Sequence, residues 1–315
     1  RRRDLTYLCQ VYVSVELYSK VDKKVTIRNN VLFCEIPCML KSQYCNLKSL
    51  SYSDCIDKGE CEYDSGGYFI IRGKERVVIP QIRNVDNTPY IFMKENNRYI
   101  CEVRSMSAIT GHSVLSKMYL DCTNNKITMQ LPYMKHEIPI ILLFYALGID
   151  DYKTIFNMIG IHDDYAMQII KKNFFYTHIC LDFKDDNNNN CDLAHCFIGI
   201  HSCIDDLRNK GDKGDNYIDY SKQIIKTELF PHLGPSCSDR SKGAFLSIMI
   251  RQLILTNSNR RVIDDRDNYA NKRIESTGVL CYELFRQLFR KQKDTMINIL
   301  DKKKNAIDII DVVSK

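Results

Sequence analysis

The feature that most constrains this chain is a change of hydrophobic period near residue 131. Upstream, Leu5, Tyr7, Cys9, Val11, Val13, Val15 and Leu17 fall on alternate positions, the period of a strand with one buried face. Downstream, apolar residues recur at helical spacing, and Val279, Leu280, Leu284, Phe285, Leu288 and Phe289 form one such stripe. Sheet followed by helix in one chain predicts an α+β fold.

The sheet region carries its own punctuation. Segments 25–27 and 31–36 flank Asn29-Asn30, and Asn tolerates the left-handed conformation that tight hairpins need. The same device recurs at Asn96-Asn97, between 90–94 and 99–104, and at Asn124-Asn125, between 114–120 and 127–131. The first 130 residues therefore read as mostly antiparallel sheet with some helix. Gly67 and Gly73-Lys74 invite a phosphate-loop reading, but five residues separate the glycines and Glu75 stands where Ser or Thr is required. A strand over 68–71, a turn at Gly73-Lys74-Glu75 and a return strand fit better.

Past residue 131, Pro139 suits a first helical turn and Gly148 stops the helix that follows. Asp151 is placed to cap 152–159, and Asp163 or Asp164 to cap the next helix through Phe174. Asp185-Asp186 with Asn187 to Asn190 reads as a polar loop. Helical patterns resume at 193–207, break at 211–214, and continue at 217–230 and 242–255. The stripe after residue 278 reads as core first and basic surface second, with Arg286, Arg290, Lys291 and Lys293 on its other faces. Lys302-Lys303-Lys304 reads as a solvated helix end rather than a nucleic-acid patch.

At 315 residues with 44% hydrophobic content, the chain holds about two domains with packed cores. Lys plus Arg number 45 against 39 Asp plus Glu, a net +6 that permits nucleic-acid contact without demanding it. Fourteen cysteines without a signal-like N-terminus indicate reduced thiols in an intracellular compartment. Cys191, His195, Cys196, His201 and Cys203 are the one zinc-like cluster, yet they lack knuckle spacing and interleave with apolar residues, so buried helix cysteines are the simpler reading. No apolar run reaches the length of about 20 residues that spans a bilayer. The chain begins at Arg1 and stops in an amphipathic pattern, which suggests a fragment.

Ahead of the last helical stripe lies a polar hinge at 264–278. Asp264, Asp265 and Asp267 suit either Mg²⁺ ligation or capping of the following helix, and capping with polar recognition is preferred because no carboxylate cage is nearby. Adjacent Lys272 and Arg273 point to different faces, one for an ion pair and one for a phosphate.

Seven ordered motifs carry a resemblance: Leu5-Thr6-Tyr7; Ile36-Pro37-Cys38-Met39-Leu40-Lys41-Ser42; Gly66-Gly67-Tyr68-Phe69-Ile70-Ile71; Arg104-Ser105; Leu131-Pro132-Tyr133-Met134-Lys135 through Ala146-Leu147-Gly148; Phe230-Pro231-His232-Leu233; and the hinge. In this order they resemble the N-terminal half of the second-largest subunit of multisubunit DNA-directed RNA polymerases. The resemblance implies a β-rich protrusion at 1–133 that returns as helix at 271–315, around an inserted, mainly α lobe at 134–270. It implies a wall of the DNA cleft, a nucleotidyltransferase only when assembled, and no catalytic residue or metal ligand in this stretch. The catalytic Mg²⁺ belongs to the largest subunit. Expected partners are that subunit, small subunits, DNA, and initiation factors on lobe and protrusion, with no membrane.

The resemblance also assigns nucleic-acid contact to Asp267 and Lys272, with Arg266 and Arg273 beside them. In bacterial members the cation aligned with Lys272 is Arg, so bidentate geometry is lost here. Pro80, Ile82 and the wealth of Asn, Lys and Ile point to a divergent lineage such as a large DNA virus. Nuclear location follows for a cellular source, host cytoplasm or virion for a viral one. Two alternatives stand beside this reading: a free-standing nucleic-acid-binding or scaffolding protein of the same fold, and a zinc module centred on 191–203.

Overall fold

A computed structural model describes residues 1–18, 23, 25–61, 63–94, 97–181, 190–201 and 215–302. By packing, the chain divides into two compact units, residues 1–83 with 274–315, and residues 84–273. Both helices and strands are present, so the fold is α+β.

The first unit is built on strands β1 (Leu8–Tyr18) and β2 (Val25–Pro37), an antiparallel pair. Asn29-Asn30 does not turn the chain as its sequence suggests. β2 runs straight through it, the register shifts between Val13 and Val15, and Asn30 takes φ 56°. The left-handed residue is used for a bulge instead of a hairpin. Short helix α1 (Tyr52–Asp57) opens on a Ser51–Asp54 capping box. Strands β3 (Phe69–Ile71) and β4 (Lys74–Arg76) pair as the expected hairpin, but its turn holds Arg72 and Gly73 at φ 48° and 73°, while Lys74 and Glu75 join the return strand.

Long helix α8 (Thr277–Lys302) belongs to this unit and lays Met296 against Val31, with Phe289 edge-on to Phe33 at 6.1 Å. Its stripe was expected in the core. Leu284 and Leu288 are instead exposed, and with Phe285 and Phe289 they line an open apolar cavity of about 410 Å³ beside Phe33, Ile36 and Phe69. The β1–β2 ribbon is too narrow to cover the whole stripe.

The second unit centres on an antiparallel sheet of order β10-β9-β8-β7-β6. Its strands are β6 (Tyr90–Lys94), β7 (Arg98–Met106), β8 (Ser113–Asp121), β9 (Ile127–Gln130) and β10 (Ile138–Pro139). Asn97 and Asn125, at φ 55° and 57°, make the expected turns; Asn96 lies outside the described residues. Strands β5 (Gln81–Asn84) and β11 (Lys272–Glu275) pair where the chain leaves the first unit and returns.

Among the described residues, six α-helices complete the second unit. They are α2 (Ile140–Ala146), α3 (Tyr152–Ile159), α4 (Asp164–Leu181), α5 (Asn190–Ile200), α6 (Asp215–Thr227) and α7 (Asp239–Asn257). Asp151 caps α3 through the N–H groups of Lys153 and Thr154, as expected. Asp163 does not cap α4 by its side chain, which is engaged by Arg260. Leu246, Met249, Ile250, Leu253 and Ile254 form the buried face of α7 and join Ile91, Met118 and Phe144 in one core. Arg251 stays on the exposed face, which is why that apolar helix is not a membrane span. Among the described residues no helix is long and apolar enough to cross a membrane.

Two motifs that carried the resemblance meet in this unit. His232 N–H donates to Ser105 Oγ at 3.1 Å, and that hydroxyl lies 2.7 Å from His232 Nδ1. Burial lowers the His232 pKa. Of the expected polar loop at 185–190, Asn190 opens α5 and the rest falls outside the described residues, as do the break at 211–214, part of the helix at 193–207 and Lys303-Lys304.

Candidate nucleic-acid interface

Strand β6 is an edge of its sheet, so its outward backbone groups need partners from elsewhere. Asp264 supplies them. Its N–H donates to the Ile91 carbonyl at 2.9 Å, and its carboxylate accepts the Ile91 N–H at 2.7 Å. Arg261 Nη2 holds both carboxylate oxygens at 2.9 and 2.7 Å, which fixes the carboxylate in place. Asp264 is therefore a fastener for the segment.

The rest of the segment folds on itself. Asp265 Oδ1 accepts the Asp267 N–H at 2.9 Å, and the Asp265 carbonyl accepts Asn271 Nδ2 at 3.3 Å. A 3₁₀ turn, Tyr269–Asn271, follows, with Asn268 Oδ1 accepting the Ala270 N–H at 3.0 Å. Asn271 is tied from below by the Val85 N–H at 3.0 Å. The aspartates were expected to cap the following helix. That helix begins only at Thr277, beyond β11, and the one turn in between is capped by Asn268. Two of the three carboxylates are thus consumed by backbone N–H groups, and the described residues contain no group of three side chains that could hold a metal ion.

The cations also divide. Arg266 lies over the Phe92 ring at 3.8 Å and donates to Glu102 at 3.0 Å. Arg273 folds Nη1 onto the carbonyls of Lys272 at 2.7 Å and Ala270 at 3.4 Å, leaving its other N–H groups outward. Among the described residues, the Asp267 carboxylate and the Lys272 ammonium engage no side-chain partner. Asp267 is exposed and Lys272 half-buried. One free acceptor and one free donor thus stand on a turn whose backbone is pinned at both ends. Glu102 and Phe92 were not legible as members of this site, because Glu102 is 164 residues from Arg266 in sequence. Tyr269, 82% exposed, was passed over although it sits inside the segment.

The zinc-like cluster is dispersed into separate contacts. His195 Nδ1 lies 2.5 Å from Ser221 Oγ, His201 Nδ1–H donates to the Phe197 carbonyl at 2.9 Å, and the Cys191 thiol reaches the Ala146 carbonyl. Cys191 and Cys196 are half-buried, and Cys203 lies outside the described residues.

A family model described as RNA polymerase beta subunit matches residues 1–314. The chain is 34% identical over 303 residues to DNA-directed RNA polymerase II subunit RPB2 of Encephalitozoon cuniculi, covering 92% of this chain and 25% of that protein. It is 32% identical over 356 residues to a probable RNA polymerase II subunit RPB2 homolog of Invertebrate iridescent virus 6, covering 100% and 29%. Against DNA-directed RNA polymerase II subunit 2 of Arabidopsis thaliana it is 33% identical over 331 residues, covering 92% and 25%. The chain spans about a quarter of the length of these curated relatives.

Proposed function

Because the chain belongs to the RNA polymerase beta subunit family, we propose that it is the part of a second-largest subunit that forms one wall of the DNA cleft. In the assembled enzyme it guides nucleic acid past an active centre carried by the largest subunit, whose carboxylates hold the catalytic Mg²⁺. Residues 264–273 fit that division of labour: Asp264 and Asp265 each give one carboxylate oxygen to a backbone N–H of the protein itself. The chain docks to the largest subunit and small subunits, and initiation factors bind its protrusion and lobe. It works in the nucleus or, in a viral setting, in host cytoplasm or the virion.

By the resemblance, the protrusion would comprise residues 1–133 and 271–315, and the lobe 134–270. The core shared by the sheet at 90–139 and helices α2 to α7 argues that the lobe also takes in that sheet.

The observation that carries the site is the pair of uncommitted charges on the pinned turn. Asp267 accepts hydrogen bonds from the amino group of an unpaired guanine or cytosine, and Lys272 meets a phosphate or a base acceptor. Lysine offers a point charge rather than a planar fork, so base choice at this position is weak. Arg266 keeps Phe92 and Glu102 in place behind the turn, and Arg273 adds charge toward the backbone.

Two measurements test the reading. Purified from its source, the chain brings with it a largest subunit; isolation as a lone polypeptide favours the free-standing binding protein. In the assembled polymerase, Lys272→Ala and Asp267→Ala speed dissociation of open promoter complexes; unchanged lifetimes for both remove these residues from the interface.

A further inference from the structure

The pinned turn also presents an aromatic ring with nothing on it. Tyr269 is 82% exposed, and among the described residues its ring stacks on no neighbour and its hydroxyl meets no partner. The other ring at this site is already occupied, since Phe92 is covered by the Arg266 guanidinium at 3.8 Å. An exposed tyrosine alone is unremarkable on a protein surface. What separates Tyr269 is its mounting and its neighbours.

The mounting is rigid. Tyr269 opens the 3₁₀ turn, whose start is held by the Asn268 cap and whose end is held through Asn271 by Asp265 and Val85. A ring on such a base loses little freedom when a flat ligand settles on it. The neighbours are the two uncommitted charges, Asp267 two residues before and Lys272 three residues after. A face for stacking, an acceptor for a base edge and a cation for a phosphate are the three contacts that an unpaired nucleotide offers at once.

Resting on the reading of this segment as a nucleic-acid contact, we propose that Tyr269 is the stacking platform for one unpaired base of single-stranded DNA. Asp267 and Lys272 flank the same nucleotide. Stacking is indifferent to base identity because every base has a π-face, so Tyr269 supplies affinity and position while Asp267 supplies whatever discrimination there is. A duplex cannot use the platform, because its bases are already stacked on each other. The site therefore favours melted over double-stranded DNA.

The test uses open complexes of the assembled polymerase on promoter DNA with 2-aminopurine placed in turn at each unpaired position of the bubble. Tyr269→Ala shortens the complex lifetime roughly tenfold and raises the fluorescence at a single position, where the probe has lost its stacking partner. Tyr269→Phe stays within about twofold of the parent because the ring is kept. An abasic site at that position gives the parent the lifetime of Tyr269→Ala, and the variant loses nothing further. Unchanged lifetime and fluorescence in Tyr269→Ala, with Lys272→Ala still shortening the lifetime, overturn the platform and leave the interface standing. If Lys272→Ala and Asp267→Ala also change nothing, the interface itself fails and the platform with it. The exposed ring lets the alanine variant fold normally, which a matching melting curve verifies.

Discussion

Asp264 and Ile91 exchange two hydrogen bonds, backbone N–H to carbonyl at 2.9 Å and backbone N–H to carboxylate at 2.7 Å, across 173 residues of sequence. This bond pair closes the open edge of the five-stranded sheet and sets where the polar turn begins. It also neutralises Arg261, which sits partly buried and already has Nη1 without a partner.

Asp264→Ala consequently strands both the Ile91 N–H and the Arg261 guanidinium. We expect a loss of about 2–3 kcal/mol in unfolding free energy, measured by urea titration. Asp264→Asn, which keeps an acceptor for Ile91, loses less. Equal stability of the alanine variant and the parent would show that water replaces the carboxylate without cost.

The neighbouring acid behaves oppositely. Asp267→Ala and Lys272→Ala remove side chains that make no hydrogen bond or ion pair within the described residues, so unfolding free energy shifts by no more than about 0.5 kcal/mol. Their effect appears only when nucleic acid is bound. A large drop in the melting temperature of either variant would place its side chain in the structural frame with Asp264.

Acid stability depends on a buried imidazole, His195, and a half-buried one, His232. Burial lowers the His195 pKa, with Lys222 adding in the same direction, and burial lowers that of His232. A depressed histidine pKa means that the unfolded chain takes up protons first. The stabilisation is complete above the unfolded value of 6.5 and is lost as pH falls below it. Denaturant titrations between about pH 7.5 and 5 are expected to show stability falling with acid, and His195→Asn to flatten the fall while lowering the plateau. A parent curve level across that range would rule out these two rings as its cause.

Gly199 tests helix contact against helix propensity. It lies in α5, where alanine is ordinarily worth about 1 kcal/mol more than glycine. A Cβ at this position would come within 2.5 Å of the Tyr217 carbonyl oxygen and 2.9 Å of its carbonyl carbon in α6. Backbone cannot yield as a side-chain tip can, so Gly199→Ala is expected to destabilise by about 1–3 kcal/mol, read from thermal melts. A variant as stable as the parent would mean that α5 and α6 slide apart freely.

Much of the local structure was legible in the residues. Asp151 before an apolar run meant a capped helix, and Asn97 and Asn125 meant turns, because capping and left-handed backbone depend on a few adjacent atoms. Asn29-Asn30 shows the limit of that logic. The same left-handed residue serves a hairpin or a bulge, and only pairing with β1 selects the bulge. The polar segment was found by composition, yet its aspartates were assigned to the wrong task. Nothing adjacent in sequence tells that Ile91 needs an acceptor or that Glu102 waits for Arg266.

By itself, the order of residues determined the α+β class, most turns and caps, the family, and the segment on which charge gathers. Those follow from period, spacing and short-range sterics. Only the tertiary structure decided which charges are spent and which remain. Asp264 and Arg266 are consumed by groups brought near through the sheet and Asp265 by the Asp267 N–H, while among the described residues the Asp267, Tyr269 and Lys272 side chains are left without a hydrogen-bond or ion-pair partner. The reason is that a hydrogen bond or ion pair acts over a few ångströms of space, without regard to separation along the chain.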